Sequence, residues 1–198
     1  MSQIGDARAR ASFAKPTDLD AFLEKLTAAM RAVKVGDPFD PATDIGPQAR
    51  RELRDELHGQ VTQAIAQGAR PVLGCTVPPG PGAFYPASIL ADVRPDNPAA
   101  REELFGPVAV VIRAASPDQA VEIANDSKFG LGAALFTRDP ATIERLVPRI
   151  EAGAVFVNGM VKSDPRLPFG GVKTSGYGRE LGLEGIRAFV NVKTVWIR

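Results

Sequence analysis

The densest collection of chemically useful residues is Pro168-Phe169-Gly170-Gly171-Val172-Lys173-Thr174-Ser175-Gly176-Tyr177-Gly178-Arg179-Glu180, in which four glycines fall within nine positions. Glycine tolerates positive φ and lets a backbone or ligand come close, so the glycines set among Phe, Lys, Ser, Arg and Glu suit a site and equally a surface hairpin. Just before it, Ser163, Asp164 and Arg166 group a hydroxyl with a guanidinium, donors that suit a small anionic group. Phe169 reads either as a packing residue or as an apolar pocket wall. Glu102 and Glu103 precede Leu104-Phe105-Gly106-Pro107. A carboxylate there can accept two hydrogen bonds from a vicinal diol such as ribose, or stand as a solvated loop charge.

Other chemistries fare worse. Gly130-Leu131-Gly132 continues to Leu135 and Gly176-Tyr177-Gly178 to Leu181, so neither completes a phosphate-binding glycine fingerprint. His58 is the one histidine and lies beside the Leu57 face of a helical pattern, a packing or surface position and a poor triad base. Cys75 is the one cysteine, and its neighbours Gly74, Thr76, Val77 and Pro78 offer no cation or helix start to stabilise a thiolate. One cysteine and one histidine exclude an internal disulfide and a Cys/His zinc cluster, and they fit a reducing cytoplasm. The 24 basic and 23 acidic residues leave a net charge of +1, no footprint for nucleic acid or an anionic membrane. No apolar run has signal-peptide or membrane-spanning length.

The elements that would hold these residues follow from periodicity. Met1 to Ala14 shows no clean period and reads as a frayed leader, with order beginning near Pro16 and Thr17 or Asp18 capping a helix whose face is Leu19, Phe22, Leu23, Leu26 and Met30. Leu53, Leu57, Val61 and Ile65 mark a second helix ending at Gly68, before a short strand from Pro71 to Leu73. Strands are expected at Tyr85 to Val93, Val108 to Ile112, Leu131 to Phe136 and Ala154 to Val157, with helices opening at Ser116-Pro117 and Asp139-Pro140 between the later ones. Continuous apolar strands alternating with amphipathic helices predict an α/β fold: one core, with a mostly parallel sheet covered by helices on both faces in three layers. Functional loops belong at the carboxyl ends of such strands, and the glycine-rich segment follows one.

Glu103-Leu104-Phe105-Gly106-Pro107 and Pro168 to Glu180, in that order, resemble two signatures of the aldehyde dehydrogenase superfamily. Asp20 to Leu26, Val35-Gly36-Asp37-Pro38, Asp44-Ile45-Gly46-Pro47, Ile123-Ala124-Asn125 and Val157-Asn158 extend the likeness from about Asp18 to the C-terminus. The run from Val157 to Phe169 is most similar to the succinate-semialdehyde dehydrogenase branch, which oxidises an aldehyde to an acid with NAD or NADP. The resemblance implies that Glu103 holds the nicotinamide-side ribose, Phe105 packs near the nicotinamide, Phe169 lines the aldehyde tunnel and Ser163 helps bind the substrate carboxylate. It further implies a leader at 1–17, a catalytic domain at 18–189 and an oligomerisation strand at 190–198.

Family members attack the aldehyde with a cysteine placed shortly upstream of the segment matched by Asp20 to Leu26, and residues 1–17 contain none. Cys75 falls where the family commonly has glycine after a strand. Without the thiolate no covalent intermediate forms. The expectation is therefore a C-terminal catalytic-domain portion, inactive by itself and with no catalytic residue of its own, whose partners are a small aldehyde and either further copies or a complementary N-terminal half. The alternative is a non-catalytic binding or assembly module using Val190 to Ile197 as a pairing edge.

Overall fold

The computed structural model describes residues 10–13 and 16–198, with side-chain surroundings from Leu19 onward. The leader expectation otherwise falls outside the described residues. Two compact units replace the single core expected from the sequence, Met1–Ala124 and Asn125–Arg198. Apolar burial is concentrated in the first, which gives the division its physical basis.

In the first unit, β1 (Arg10–Phe13) is followed by α1 (Pro16–Ala32), α2 (Arg51–Ala66), β2 (Arg70–Leu73), β3 (Ser88–Ala91), α3 (Pro98–Arg101), β4 (Val108–Arg113) and α4 (Pro117–Asn125), whose last residue opens the second unit. A strand at Arg10–Phe13 lies inside the stretch read as leader. Four residues are too few to display alternation, and the strand owes its place to parallel backbone pairing with β4, Arg10 to Val110 and Phe13 to Arg113. α1 begins at Pro16, so Thr17 and Asp18 occupy its first turn and do not precede it.

The sheet order is β1-β4-β3-β2, parallel across its first three strands and antiparallel at β2. Successive residues of a strand point to opposite faces, and the two apolar clusters follow that alternation. Leu90, Val108, Val110 and Ile112 pack with Leu57, Val61 and Ala64 of α2. Ile89, Ala91, Ala109 and Val111 pack with Leu19 and Leu23 of α1. Helices therefore cover both sides of β3 and β4, which read as unbroken apolar runs for that reason. Burying Leu57 and Val61 contributes about 2 kcal/mol each. The strand expected from Tyr85 to Val93 is shorter, Ser88–Ala91, because Pro86 cannot donate to a ladder and Asp92 turns to φ 55°.

The second unit contains β5 (Phe129–Gly130), β6 (Gly132–Leu135), α5 (Pro140–Leu146) with a 3-10 turn at Val147–Arg149, β7 (Ala154–Val157), β8 (Val172–Lys173) and α6 (Gly182–Arg187). β6 pairs in parallel with β7, and β5 pairs antiparallel with β8. Asp139 caps α5, its carboxylate accepting from the amides of Ala141 and Thr142. Pro148 ends the regular helix because it lacks an amide proton and shifts the chain to the tighter turn. Residues 191–198 have no regular structure in the single chain.

Candidate functional site

The four candidate residues divide between the units: Glu103 and Phe105 in the first, Ser163 and Phe169 in the second. Glu103 stands two residues past α3, after the capping Glu102. That helix starts because Asn97, buried to 2 % exposure, caps it by accepting from the Ala99 amide, with Pro98 in the first turn. The Asn97 amide group donates to the carbonyls of Ala64 and Gln67, which close α2. Farther up the same face of α2, Gln60 Nε2 donates to Glu102 Oε2 at 3.0 Å and to the Glu103 carbonyl at 3.2 Å. Leu57, one turn earlier, lies so close to Gly106 that a β-carbon there would collide with Leu57 Cδ2. Glu103 is half-buried, whereas Phe105 presents 66 % of its surface.

Neither of the remaining thiol and imidazole groups forms a reaction centre. Cys75 is 5 % exposed and lies at φ 65°, with Sγ donating to the Leu73 carbonyl at 3.3 Å. Its amide donates to Ser88 Oγ at 2.9 Å. Burial pushes the Cys75 thiol up from its ordinary range, and hydrogen bonds to Ser88 and Ile89 offset this only in part. The Tyr85 hydroxyl, also driven up by burial, lies 3.2 Å from His58 Nδ1. These contacts tie α2 to the β3 approach. A cleft of about 250 Å³ opens in the first unit, lined by Arg54, Phe84 and the Pro78–Gly82 run. Glu103 and Phe105 are not among its walls.

In the second unit, Ser163 is exposed and Phe169 half-buried. Phe169 and Glu180 exchange both backbone hydrogen bonds at 2.8 Å, closing the glycine-rich segment into a loop. Gly176 at φ 127° and Gly178 at φ 73° make the turn that permits this closure. The closed loop leans on β7: a β-carbon on Gly153 would strike the Gly170 carbonyl oxygen. Arg179 Nη1 donates to the Gly171 and Gly178 carbonyls, Ser175 Oγ accepts from the Gly130 amide, and Lys173 pairs with Glu151 at 2.6 Å. The polar residues of the motif are thus occupied in building the loop.

The anion-binding expectation for Ser163, Asp164 and Arg166 changes in one respect. Arg166 directs Nε and Nη2 onto the Asp164 carboxylate at 2.9 and 2.7 Å, and this pairing holds the carboxyl down to about 2. Its charge is matched inside the loop, which leaves Ser163 as the neutral donor beside a compensated pair. Gln60 and Asn97 went unnoticed in the sequence. Asn97-Pro98 carries a helix-start signature that would have revealed the cap, while a glutamine on a solvated helix face has no local signal.

The first unit of this α/β fold thus carries a half-buried carboxylate and an exposed aromatic after one helix, the second carries a phenylalanine in a glycine-closed loop, and the chain's one cysteine is buried. The chain belongs to the aldehyde dehydrogenase family, whose pattern matches residues 12–195. It is 54 % identical over 182 residues to a succinate-semialdehyde dehydrogenase [NADP(+)] of Mycolicibacterium paratuberculosis, covering 91 % of this chain and 39 % of that protein. It is 50 % identical over 176 residues to the Escherichia coli succinate semialdehyde dehydrogenase [NAD(P)+] Sad, covering 89 % and 38 %. Among solved structures, the Streptococcus pyogenes succinic semialdehyde dehydrogenase in complex with NADP+ superposes with a TM-score of 0.88 at 37 % identity, covering 95 % of this chain and 41 % of that one. A Sinorhizobium meliloti NAD-dependent aldehyde dehydrogenase gives 0.86 at 35 % identity, covering 91 % and 36 %. The chain spans about two fifths of the length of these relatives, 39 % of the first.

Proposed function

We propose that this chain supplies the nicotinamide-ribose contact and part of the aldehyde tunnel of a succinate-semialdehyde dehydrogenase that uses NAD or NADP in the cytoplasm. What carries the reading is the continuous likeness of nine tenths of the chain to succinate-semialdehyde dehydrogenases, 54 % identical in one case. The donor set fits the cofactor: the Glu103 carboxylate offers two acceptors to a vicinal diol, and the exposed Phe105 ring offers an apolar face beside it. A nicotinamide held by Glu103 and Phe105 would supply the hydride acceptor for aldehyde oxidation. Phe169 walls the tunnel and Ser163 donates to the carboxylate of the substrate. In the complete catalytic domain the sheet is three-layered and mostly parallel.

The 198 residues do not turn over alone, because their one cysteine is Cys75 and it is buried away from any substrate. Catalysis therefore needs a thiolate, a general base and a dinucleotide-binding domain from outside these residues. The purified chain with succinate semialdehyde and NADP or NAD is expected to give no nicotinamide reduction, and measurable turnover would overturn the claim. Adding a polypeptide that corresponds to the remaining length of the relatives is expected to yield turnover. A second reading, a non-catalytic assembly module, draws on the exposed Val192, Trp196 and Ile197, each more than four fifths accessible. Oligomers without turnover in any such mixture would favour it.

A further inference from the structure

Leu57, Gln60 and Ala64 along one face of α2, and Gln67 that caps its C-terminus, meet the segment from Asn97 to Gly106 in succession. Their spacing of three and four is that of neighbours on a helix surface, so α2 acts as a rack beneath this segment. Two contacts are backbone carbonyls that any sequence would provide, and one is a methyl group under a glycine. Gln60 differs, because its side-chain amide is the donor and its acceptors are the Glu102 carboxylate and the Glu103 carbonyl. From Glu102 to Pro107 the chain is neither helix nor strand. Its backbone bonds include Glu102 N to Pro98 O, Gly106 N to Leu104 O, Val108 N to Gly106 O and Ser88 N to Pro107 O. Gln60 adds a side-chain tie to the Glu103 carbonyl between those backbone bonds.

We infer that Gln60 is a positioning residue: by donating to the Glu102 carboxylate and the Glu103 carbonyl it fixes the backbone of Glu103 and so presents that carboxylate to a ribose diol. This rests on the ribose role given above to Glu103 and adds to it a residue on a different element. The half-exposed Gln60 can be changed without opening the core, since the buried α2 residues are Leu57, Val61 and Ala64.

Gln60→Met keeps length and removes the donor, and Gln60→Lys restores a donor. Amide hydrogen exchange at Leu104, Phe105 and Gly106 is expected to rise about tenfold in Gln60→Met and to return toward the parent in Gln60→Lys, as loss and recovery of one hydrogen bond would give. Exchange in β3 and β4 reports whether the fold is intact. Nicotinamide mononucleotide, which carries the ribose diol without the adenosine half, is titrated into the parent, both variants and Glu103→Gln by saturation-transfer NMR. Its binding is expected to weaken several-fold in Gln60→Met, to recover in Gln60→Lys and to be lost in Glu103→Gln. Unchanged exchange in Gln60→Met, equal loosening in both variants, or loosening without weaker binding would each overturn the inference. Binding that is absent in the parent or unaltered by Glu103→Gln would instead overturn the ribose role itself.

Discussion

Cys75 donates its thiol to the carbonyls of Leu73 and Ile89 and sits at φ 65°, a conformation that favours glycine. Its raised thiol pKa has a definite sign: the fold prefers the neutral thiol, so that preference is fully present below the unfolded-state pKa and is lost as pH rises through the higher folded value. Alkylation of the native chain by iodoacetamide, followed by mass spectrometry from pH 7 to pH 9, is expected to stay at least about tenfold slower than in urea, where the thiol titrates near its ordinary value of about 8.5. Rapid native alkylation at pH 7 would show the thiol to be accessible. At this scale the sequence was informative where a residue belonged to a dense motif. Glu103 and Phe105 stand out within Glu-Leu-Phe-Gly-Pro, whereas the pairing of Arg166 with Asp164 could not be foreseen, because adjacency in a loop does not fix where a guanidinium turns.

Among elements, α3 is four residues long and too short to stand by itself, so its cap and its ties to α2 decide whether it forms. Asn97→Ala removes the acceptor for Ala99 and both donors to α2, and is expected to lower the unfolding free energy of the first unit by about 3 kcal/mol, read from the urea midpoint. Asn97→Ser retains a capping oxygen and should cost about 1 kcal/mol less. Equal losses would mean that the cap contributes nothing. β4 and β7 were legible almost to the residue, since a short unbroken apolar run rich in valine between helices has few other uses. β3 was read too long because the apolar run around it includes Tyr85 and Val93, which are buried in loops, and burial without ladder pairing leaves the same trace in a sequence. The two-residue strands β5 and β8 have no periodicity to detect; their pairing is a property of the closed glycine loop.

Over the whole molecule, burial is unequal. Among the described residues of the second unit, Leu146 is the buried hydrophobic side chain, while Phe136, Met160, Tyr177, Phe189 and Trp196 are each more than three fifths exposed. A unit with so little core cannot match the first in stability. Amides of β6 and β7 are expected to exchange at least about a hundredfold faster than those of β3 and β4, and sedimentation should show self-association that grows with concentration. Equal protection in the two units, or a monomer at every concentration, would contradict this. The division was not legible because the apolar residues of the two halves are similar in kind, and only their packing separates them.

The sheet of the first unit also sets an order of events. β1 pairs Arg10 with Val110, and nothing nearer along the chain offers that edge. A polypeptide emerging from the ribosome exposes Arg10–Phe13 long before β4 exists, and closing so long a loop is slow as well as entropically costly. Of the four strands in this sheet β1 therefore waits for the one synthesised last, and during translation its place beside β4 stays open to any other extended segment that arrives sooner.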